Sequence, residues 1–231
     1  ATRESGLVRL ATLAGEPAWG PMILLRAHRL GVALGDAPSA PAWIDWVTTT
    51  RMNQEISPVL ETLRSTGHQR HWSVSLLAVL DAVALRMAVS AERPASTDVQ
   101  LIAIGSLALG VLSRSNHATS SNWDLEDRAI RAFDGASSGP PPAGDVGVTA
   151  EQFRAALTGL RDAGLAIAVD DETAWRRFAT LRAAYYPPAA AIAHTLHAVP
   201  APWSGPRRHG VRRIYRILWK RYRLRRDQRP G

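Results

Sequence analysis

The sequence predicts an all-α fold, and three observations predict it. The chain is rich in Ala and Leu and sparing in Ile, Phe and Tyr, a composition that favours helix over sheet. Apolar residues recur three and four positions apart along successive segments, the spacing of one helix face. No hairpin turn pair and no alternation of strand with helix occurs. The expected architecture is a multi-helix bundle with a short irregular N-terminal lead-in and a basic amphipathic C-terminal helix. With 231 residues, 46% of them apolar, the chain can bury a substantial core.

The elements follow in order. Residues 7–14 are a short apolar run containing Arg9, equally compatible with a strand or an irregular lead-in, and Gly15-Glu-Pro17 breaks it. Residues 22–34 carry Met22, Ile23, Leu25, Leu30 and Leu34 on a rough helical face. Pro38 and Pro41 mark a turn. A helix is expected from about Ala42, bearing Trp43, Trp46, Val47, Met52 and Ile56. Pro58 kinks or restarts it, and Gly67 closes the unit.

Residues 72–91 are the most apolar long helical stretch. Twenty helical residues span roughly 30 Å, the thickness of a bilayer core. Asp81 and Arg86 argue instead for a buried core helix. They lie five positions apart, poorly placed to neutralise each other, and each charge costs about 2.5–3.5 kcal/mol at a bilayer centre. Pro94 ends this helix, and Ser96 or Thr97 is the expected cap of the next, with Asp98 in its first turn. Residues 99–112 are apolar nearly all round, which again implies burial. Gly105 and Gly110 there permit close helix approach. A short helix follows over residues 123–133.

Residues 135–148 hold a Gly- and Pro-rich linker. It separates an N-terminal helical subdomain, 1–134, from a C-terminal one, 149–202, with a basic tail over 203–231. Thr149-Ala-Glu-Gln152 has the form of a capping box, and Phe153, Ala156, Leu157 and Leu160 recur behind it, with Gly164 as the stop. Asp170 or Asp171 caps another helix bearing Trp175, Phe178, Leu181 and Tyr185 on one face. Pro187-Pro188 is expected to interrupt it, a continuation to run over 189–199, and Pro200 and Pro202 to end it.

Candidate chemistry is sparse. With no cysteine there is no disulfide, thiolate nucleophile or Cys-ligated metal. His68 and His71 lie three apart but have no further ligand at matching spacing, and His194 and His197, also three apart, sit at an Ala-rich helix end where histidine complements the helix dipole. Asp81, the acid embedded in the 72–91 helix, reads as an acceptor for a neighbouring helix or an Arg, with an active-site acid beside His68 or His71 as the catalytic alternative. The acids at 170–172 suit a helix start. No nucleophile elbow and no glycine-rich phosphate loop is present. No catalytic residue, cofactor or metal is therefore assigned.

Charge is distributed unevenly. Residues 1–202 hold 17 basic against 19 acidic side chains, whereas residues 203–231 hold 11 basic against Asp227 alone. Within that tail, Val211, Ile214, Tyr215, Leu218, Trp219 and Tyr222 fall on one helical face and Arg212, Arg213, Arg216, Lys220, Arg221 and Arg223 around the rest. A basic amphipathic helix of this kind suits an anionic membrane surface. The residues expected to contact lipid or phosphate are Arg212, Arg213, Arg216, Trp219, Lys220, Arg221 and Arg223. Docking of the apolar face on the protein's own core and contact with nucleic acid are the alternatives.

Several short motifs carry a resemblance. Asp45-Trp46, Ser57-Pro-Val-Leu60, Leu63-Arg-Ser65, His68, Trp72 and Leu76-Leu-Ala-Val-Leu-Asp-Ala82 form one group. Trp175-Arg-Arg-Phe178, Leu181-Arg182, Tyr185-Tyr-Pro187 and Pro202-Trp203-Ser-Gly205 form another, and Arg3-Glu4 before a short apolar run opens the chain. Together they resemble the helical cytoplasmic region that follows the pore domain of bacterial two-transmembrane potassium-channel-like proteins. The chain departs from that pattern with Asn53-Gln54 in place of Ser-His, Ser57 in place of Tyr and Leu63 in place of Phe. It contains no filter-like Thr-Val-Gly-Tyr-Gly stretch and no pore helix.

The resemblance implies a non-catalytic cytoplasmic domain that regulates or assembles a channel-like protein at the bacterial inner membrane. Its implied partners are an upstream membrane pore domain, an anionic lipid surface and further copies of the chain. The alternative is a free-standing helical binding protein whose tail contacts nucleic acid or a protein partner.

Overall fold

The computed structural model describes residues 18–31, 44–45, 47–48, 72–113, 122–134, 146–195 and 198–205, without the side chains of residues 122 and 123. Six helices occur among them and no strand: α1 (Gly20–Arg29), α2 (Trp72–Val89), α3 (Ser96–Leu112), α4 (Asn122–Phe133), α5 (Ala150–Asp162) and α6 (Asp171–Thr195). The lead-in over 7–14, most of the 42–63 helix and the tail from 206 onward lie outside the described residues; residues 44–45 and 47–48 are helical, and Val47 is buried.

The all-α expectation holds, and α2 is its axis. Its apolar residues do not sort to one side, and every residue from Ser73 to Val89 is buried. A helix apolar all round must be surrounded. Here α6 lies along it most extensively, with α1 and α3 also packed against it. α2 is long and apolar enough to cross a membrane, with mean hydropathy 1.7, and 94% of it is buried inside the body. Its two charges are each paired with a different element: Asp81 with α6 and Arg86 with Asp98 on α3.

The other helices close around this pair. α3 leans on α4, α6 and α2, while α5 packs against α6 and α1. Gly105 allows α3 its close approach, since a Cβ there would lie 2.7 Å from Leu80 Cδ2. The main buried cluster draws residues from both sides of the 135–148 segment, joining Leu80, Leu85 and Ile102 to Phe153, Phe178 and Tyr185. α5 has the expected capping box: the Gln152 N–H donates to Thr149 Oγ1 at 3.2 Å and the Thr149 N–H to Gln152 Oε1 at 3.0 Å. Gly164 ends it at φ 90°. Asp170 caps α6 by accepting from the Thr173 N–H at 2.9 Å.

Three expectations are corrected. α1 starts at Gly20, helped by Pro21 in its first turn, and stops at Arg29 because Gly31 adopts φ 68°. α3 begins at Ser96 behind Ala95, which offers no side-chain cap, and the Asp98 carboxylate turns to Arg86. α6 continues through Pro187 and Pro188 without interruption. Two prolines remove two helical hydrogen bonds, but Pro188, Ala189, Ile192 and Ala193 are buried against the body, and that packing holds the second half helical.

The end of α2 shows how irregular segments are fastened. A helix leaves its last carbonyls without intrahelical partners. The Val89 carbonyl accepts from the Ala168 N–H at 2.9 Å, and the Ser90 carbonyl from Arg177 Nη1 at 3.0 Å. The Arg177 guanidinium also lies 4.4 Å from the centre of the Phe133 ring, tying α4 to the same place.

Gly20 brings α1 against the backbone of α2. A Cβ there would stand 2.8 Å from Asp81 Cβ and 2.9 Å from the Ala82 backbone nitrogen. Because backbone cannot swing aside as a side-chain tip can, Gly20→Ala is expected to push α1 off α2 and destabilise the fold by about 1–3 kcal/mol. Denaturant unfolding measures it, and a neutral substitution contradicts the packing.

Candidate functional site

The most concentrated polar chemistry lies inside the molecule, between α2 and α6. Asp81, Arg182 and Tyr185 are respectively 1%, 0% and 0% exposed. α6 delivers its two residues by helical spacing: Arg182 and Tyr185 are three apart and share a face, with Phe178 one turn before Arg182 and Tyr186 one turn after. α2 delivers Asp81 directly beneath the contact with Gly20.

The geometry is that of a fork on a carboxylate. Arg182 Nε donates to Asp81 Oδ1 at 2.8 Å and Nη2 to Oδ2 at 3.1 Å. The Tyr185 hydroxyl donates to Oδ1 at 2.9 Å. The remaining guanidinium donors reach two backbone carbonyls: Nη1 bonds Val146, just before α5, and Nη2 bonds Trp203, after α6. One cation thus holds α2, α6 and two irregular segments together. Its Cζ lies 4.6 Å from the centre of the Tyr186 ring and 5.9 Å from that of Phe178.

Tyr186 makes the two segments' conformations obligatory. A Cβ on Gly147, at φ 65°, would meet Tyr186 Cζ at 2.0 Å, and one on Gly205, at φ 95°, would meet the Tyr186 hydroxyl at 2.7 Å. Only glycine fits a left-handed backbone pressed so closely on a ring.

Burial sets the protonation of these groups. It pushes the Asp81 carboxyl above its ordinary 3.8, while Arg182 and the Tyr185 hydroxyl pull the other way. Burial, reinforced by the Asp81 charge, pushes the Tyr185 phenol well above its ordinary 10.0. Arg182 is held protonated by Asp81 against its own desolvation. Asp98 is likewise raised by burial and opposed by Arg86.

The carboxylate accepts three hydrogen bonds from fixed donors, which joins α2 to α6. Between α3, α4 and α6 a cleft touching Ile102, Ser106, Arg128 and Thr180 has about 10 Å³ of free space, room for a single water. The Ser106 and Thr180 hydroxyls there bond their own helices, at 2.6 Å to the Ile102 carbonyl and 2.8 Å to that of Arg176.

Of the residues singled out from sequence, Asp81 and Tyr185 meet directly, and Asp81 takes the acceptor role expected of it. Asp170 stands exposed at the start of α6, and His194 is exposed in its last turn. Among the described residues no group of three or more His, Asp or Glu could hold a metal. His68, His71, His197 and the basic tail residues Arg212, Arg213, Arg216, Trp219, Lys220, Arg221 and Arg223 lie outside the described residues. Arg182 was not singled out as the partner of Asp81. The signal available was a cation centred on the apolar face of α6, flanked at four residues by aromatics on both sides. Comparison with protein-family models, curated proteins and solved structures finds no match to this chain.

Two outcomes test the hub. Asp81→Asn leaves a buried guanidinium without its counter-charge, and the expected loss is about 3–5 kcal/mol. Adding Arg182→Met should not restore stability, since the Val146 and Trp203 carbonyls then lose their donor; full recovery in denaturant unfolding would reduce the hub to a simple ion pair.

Tyr185→Phe should cost about 1–2 kcal/mol at neutral pH. The folded state holds the Tyr185 proton more tightly than the unfolded chain, so its contribution is complete below pH 10 and is lost as pH rises past that value. Wild type is therefore expected to lose stability more steeply than Tyr185→Phe above pH 10; parallel pH profiles contradict the assignment.

Proposed function

We propose that the chain is a non-catalytic helical module of a bacterial channel-like membrane protein, which it regulates or assembles at the cytoplasmic face of the inner membrane. The observation carrying this reading is spatial convergence. Leu76-Leu-Ala-Val-Leu-Asp-Ala82, Leu181-Arg182, Tyr185-Tyr-Pro187 and Pro202-Trp203-Ser-Gly205 are the separate stretches on which the resemblance to that family rests. They meet at one hub: Asp81 binds Arg182 and Tyr185, Arg182 binds the Trp203 carbonyl, and Gly205 packs on Tyr186. Motifs spread over more than a hundred residues gain a common physical reason, which is what a shared fold requires.

The saturated, enclosed carboxylate supports a structural rather than catalytic role for Asp81. The tail supports membrane contact: Arg212, Arg213, Arg216, Lys220, Arg221 and Arg223 face anionic headgroups, and Trp219 sits at the interface. Partners on this reading are a membrane pore domain preceding residue 1, the anionic inner leaflet and further copies of the chain.

Vesicle sedimentation tests the tail. The chain should bind vesicles containing phosphatidylglycerol and not neutral ones. Replacing Arg212, Arg213 and Arg216 with Gln should weaken binding about a hundredfold, from about 1 kcal/mol per basic residue near the surface. Preference for DNA over vesicles, with a steep salt dependence, favours the nucleic-acid alternative and overturns the membrane reading. The channel-like attachment fails if the gene upstream of residue 1 encodes no pair of apolar spans around a filter-like loop.

A further inference from the structure

We propose that residues 198–205 form a latch that opens as a unit without unfolding the helical body, and that its opening loosens the start of α1. The segment is folded on itself. The Ala201 N–H donates to Ser204 Oγ at 2.9 Å, and the Ser204 hydroxyl and N–H donate to the Ala201 carbonyl at 2.8 and 3.1 Å. It is held to the body by the Trp203 carbonyl on the Arg182 guanidinium, by the buried Trp203 indole, by the Ala198 N–H on the Ala193 carbonyl at 2.9 Å, and by Ala198 and Ala201 in a small buried cluster.

Trp203 carries strain at this hold. It has φ 64°, and among the described residues it is the one non-glycine in the left-handed region. Bulky L residues rarely adopt that conformation, and they keep it only where surrounding contacts impose it. Here the contacts are the Trp19 ring, edge-on at 5.8 Å, the Phe178 ring at 5.5 Å, and the bond from Arg182. Closed, the latch holds a strained backbone against these contacts; open, it releases the strain and exposes the indole.

The hub survives the opening. Arg182 keeps Asp81 through Nε and Nη2 and keeps Val146 through Nη1 after the Trp203 carbonyl leaves. The effect travels instead to α1. Trp19 is the N-cap residue of α1, and its carbonyl accepts from the Met22 and Ile23 N–H groups at 3.0 and 3.1 Å. Ala18, beside it, packs with the small cluster of Val74, Ala193, Ala198 and Ala201. Removing the latch therefore strips the first turn of α1 of both its indole partner and its small-residue seat. The first basic residue of the tail, Arg207, lies two positions after Gly205, so a load on the basic residues reaches Trp203 before α6. The latch is independent of what the tail binds.

Hydrogen exchange on the full chain, followed by mass spectrometry, tests this. The hydrogen-bonded amides of Ala198, Ala201 and Ser204 and those of Met22 and Ile23 should exchange at a common rate, about tenfold or more faster than those of α2. Trp203→Phe and Ser204→Ala should each speed both segments several-fold and leave α2 unchanged. Exchange at 198–205 no faster than in α2 overturns the latch, because it then opens only with global unfolding. Faster exchange at 198–205 with Met22 and Ile23 unmoved overturns the coupling. Should both variants fail to fold, the wild-type rates alone decide between these outcomes.

Discussion

The body of this protein is organised around a single buried guanidinium. Arg182 costs several kcal/mol to bury, and it is retained because its fork is put to use: two donors on Asp81, others on the carbonyls of Val146 and Trp203, with the Phe178 and Tyr186 rings beside it. An apolar pair could fill the same volume. It could not fasten two irregular segments whose carbonyls need donors inside the core. Lysine, with its point charge and no planar fork, could not reach the same set of acceptors. The charge is thus a device for fixing which segments meet, more than a source of net stability.

Close backbone approach is the second element of the design. Gly20 lets α1 touch α2 at Asp81, while Gly147 and Gly205 let the two irregular segments lie against Tyr186 in conformations that side chains resist. Each of these glycines borders the hub. Together with Tyr185 and Tyr186 they form a shell in which the guanidinium is shielded from water and its bonds are correspondingly strong. Arg86 and Asp98 repeat the idea on a smaller scale, joining α2 to α3 across a short connection. The two pairs give α2 a rotational register that its uniformly apolar surface cannot supply.

The end of α2 and the segment after α6 show two ways of finishing a chain segment. At Val89 and Ser90, carbonyls left over by the helix are met by a backbone amide and an arginine from later in the chain. At Trp203 the strain of a left-handed residue is balanced by aromatic contact with Trp19 and Phe178. Both join distant parts of the chain, and the second also brings the two ends of the described body together.

Local physics accounts for what could be read from the sequence itself. The capping box at Thr149, the cap at Asp170, the glycine stop at 164 and the apolar α2 with its embedded acid are set by neighbours within a few residues, so they stand in the structure as expected. Helix through Pro187 and Pro188, the turn of Asp98 towards Arg86, and the choice of Arg182 as partner for Asp81 were decided elsewhere. Each depends on packing or charge delivered by residues ten to a hundred positions away. The sequence by itself determined the helical class, the helix boundaries that carry caps, and the presence of charges needing partners in the core. Only the tertiary structure decided which partners they take, because a buried charge is satisfied by whatever the fold brings within hydrogen-bonding distance, and that distance is not a property of any local stretch of chain.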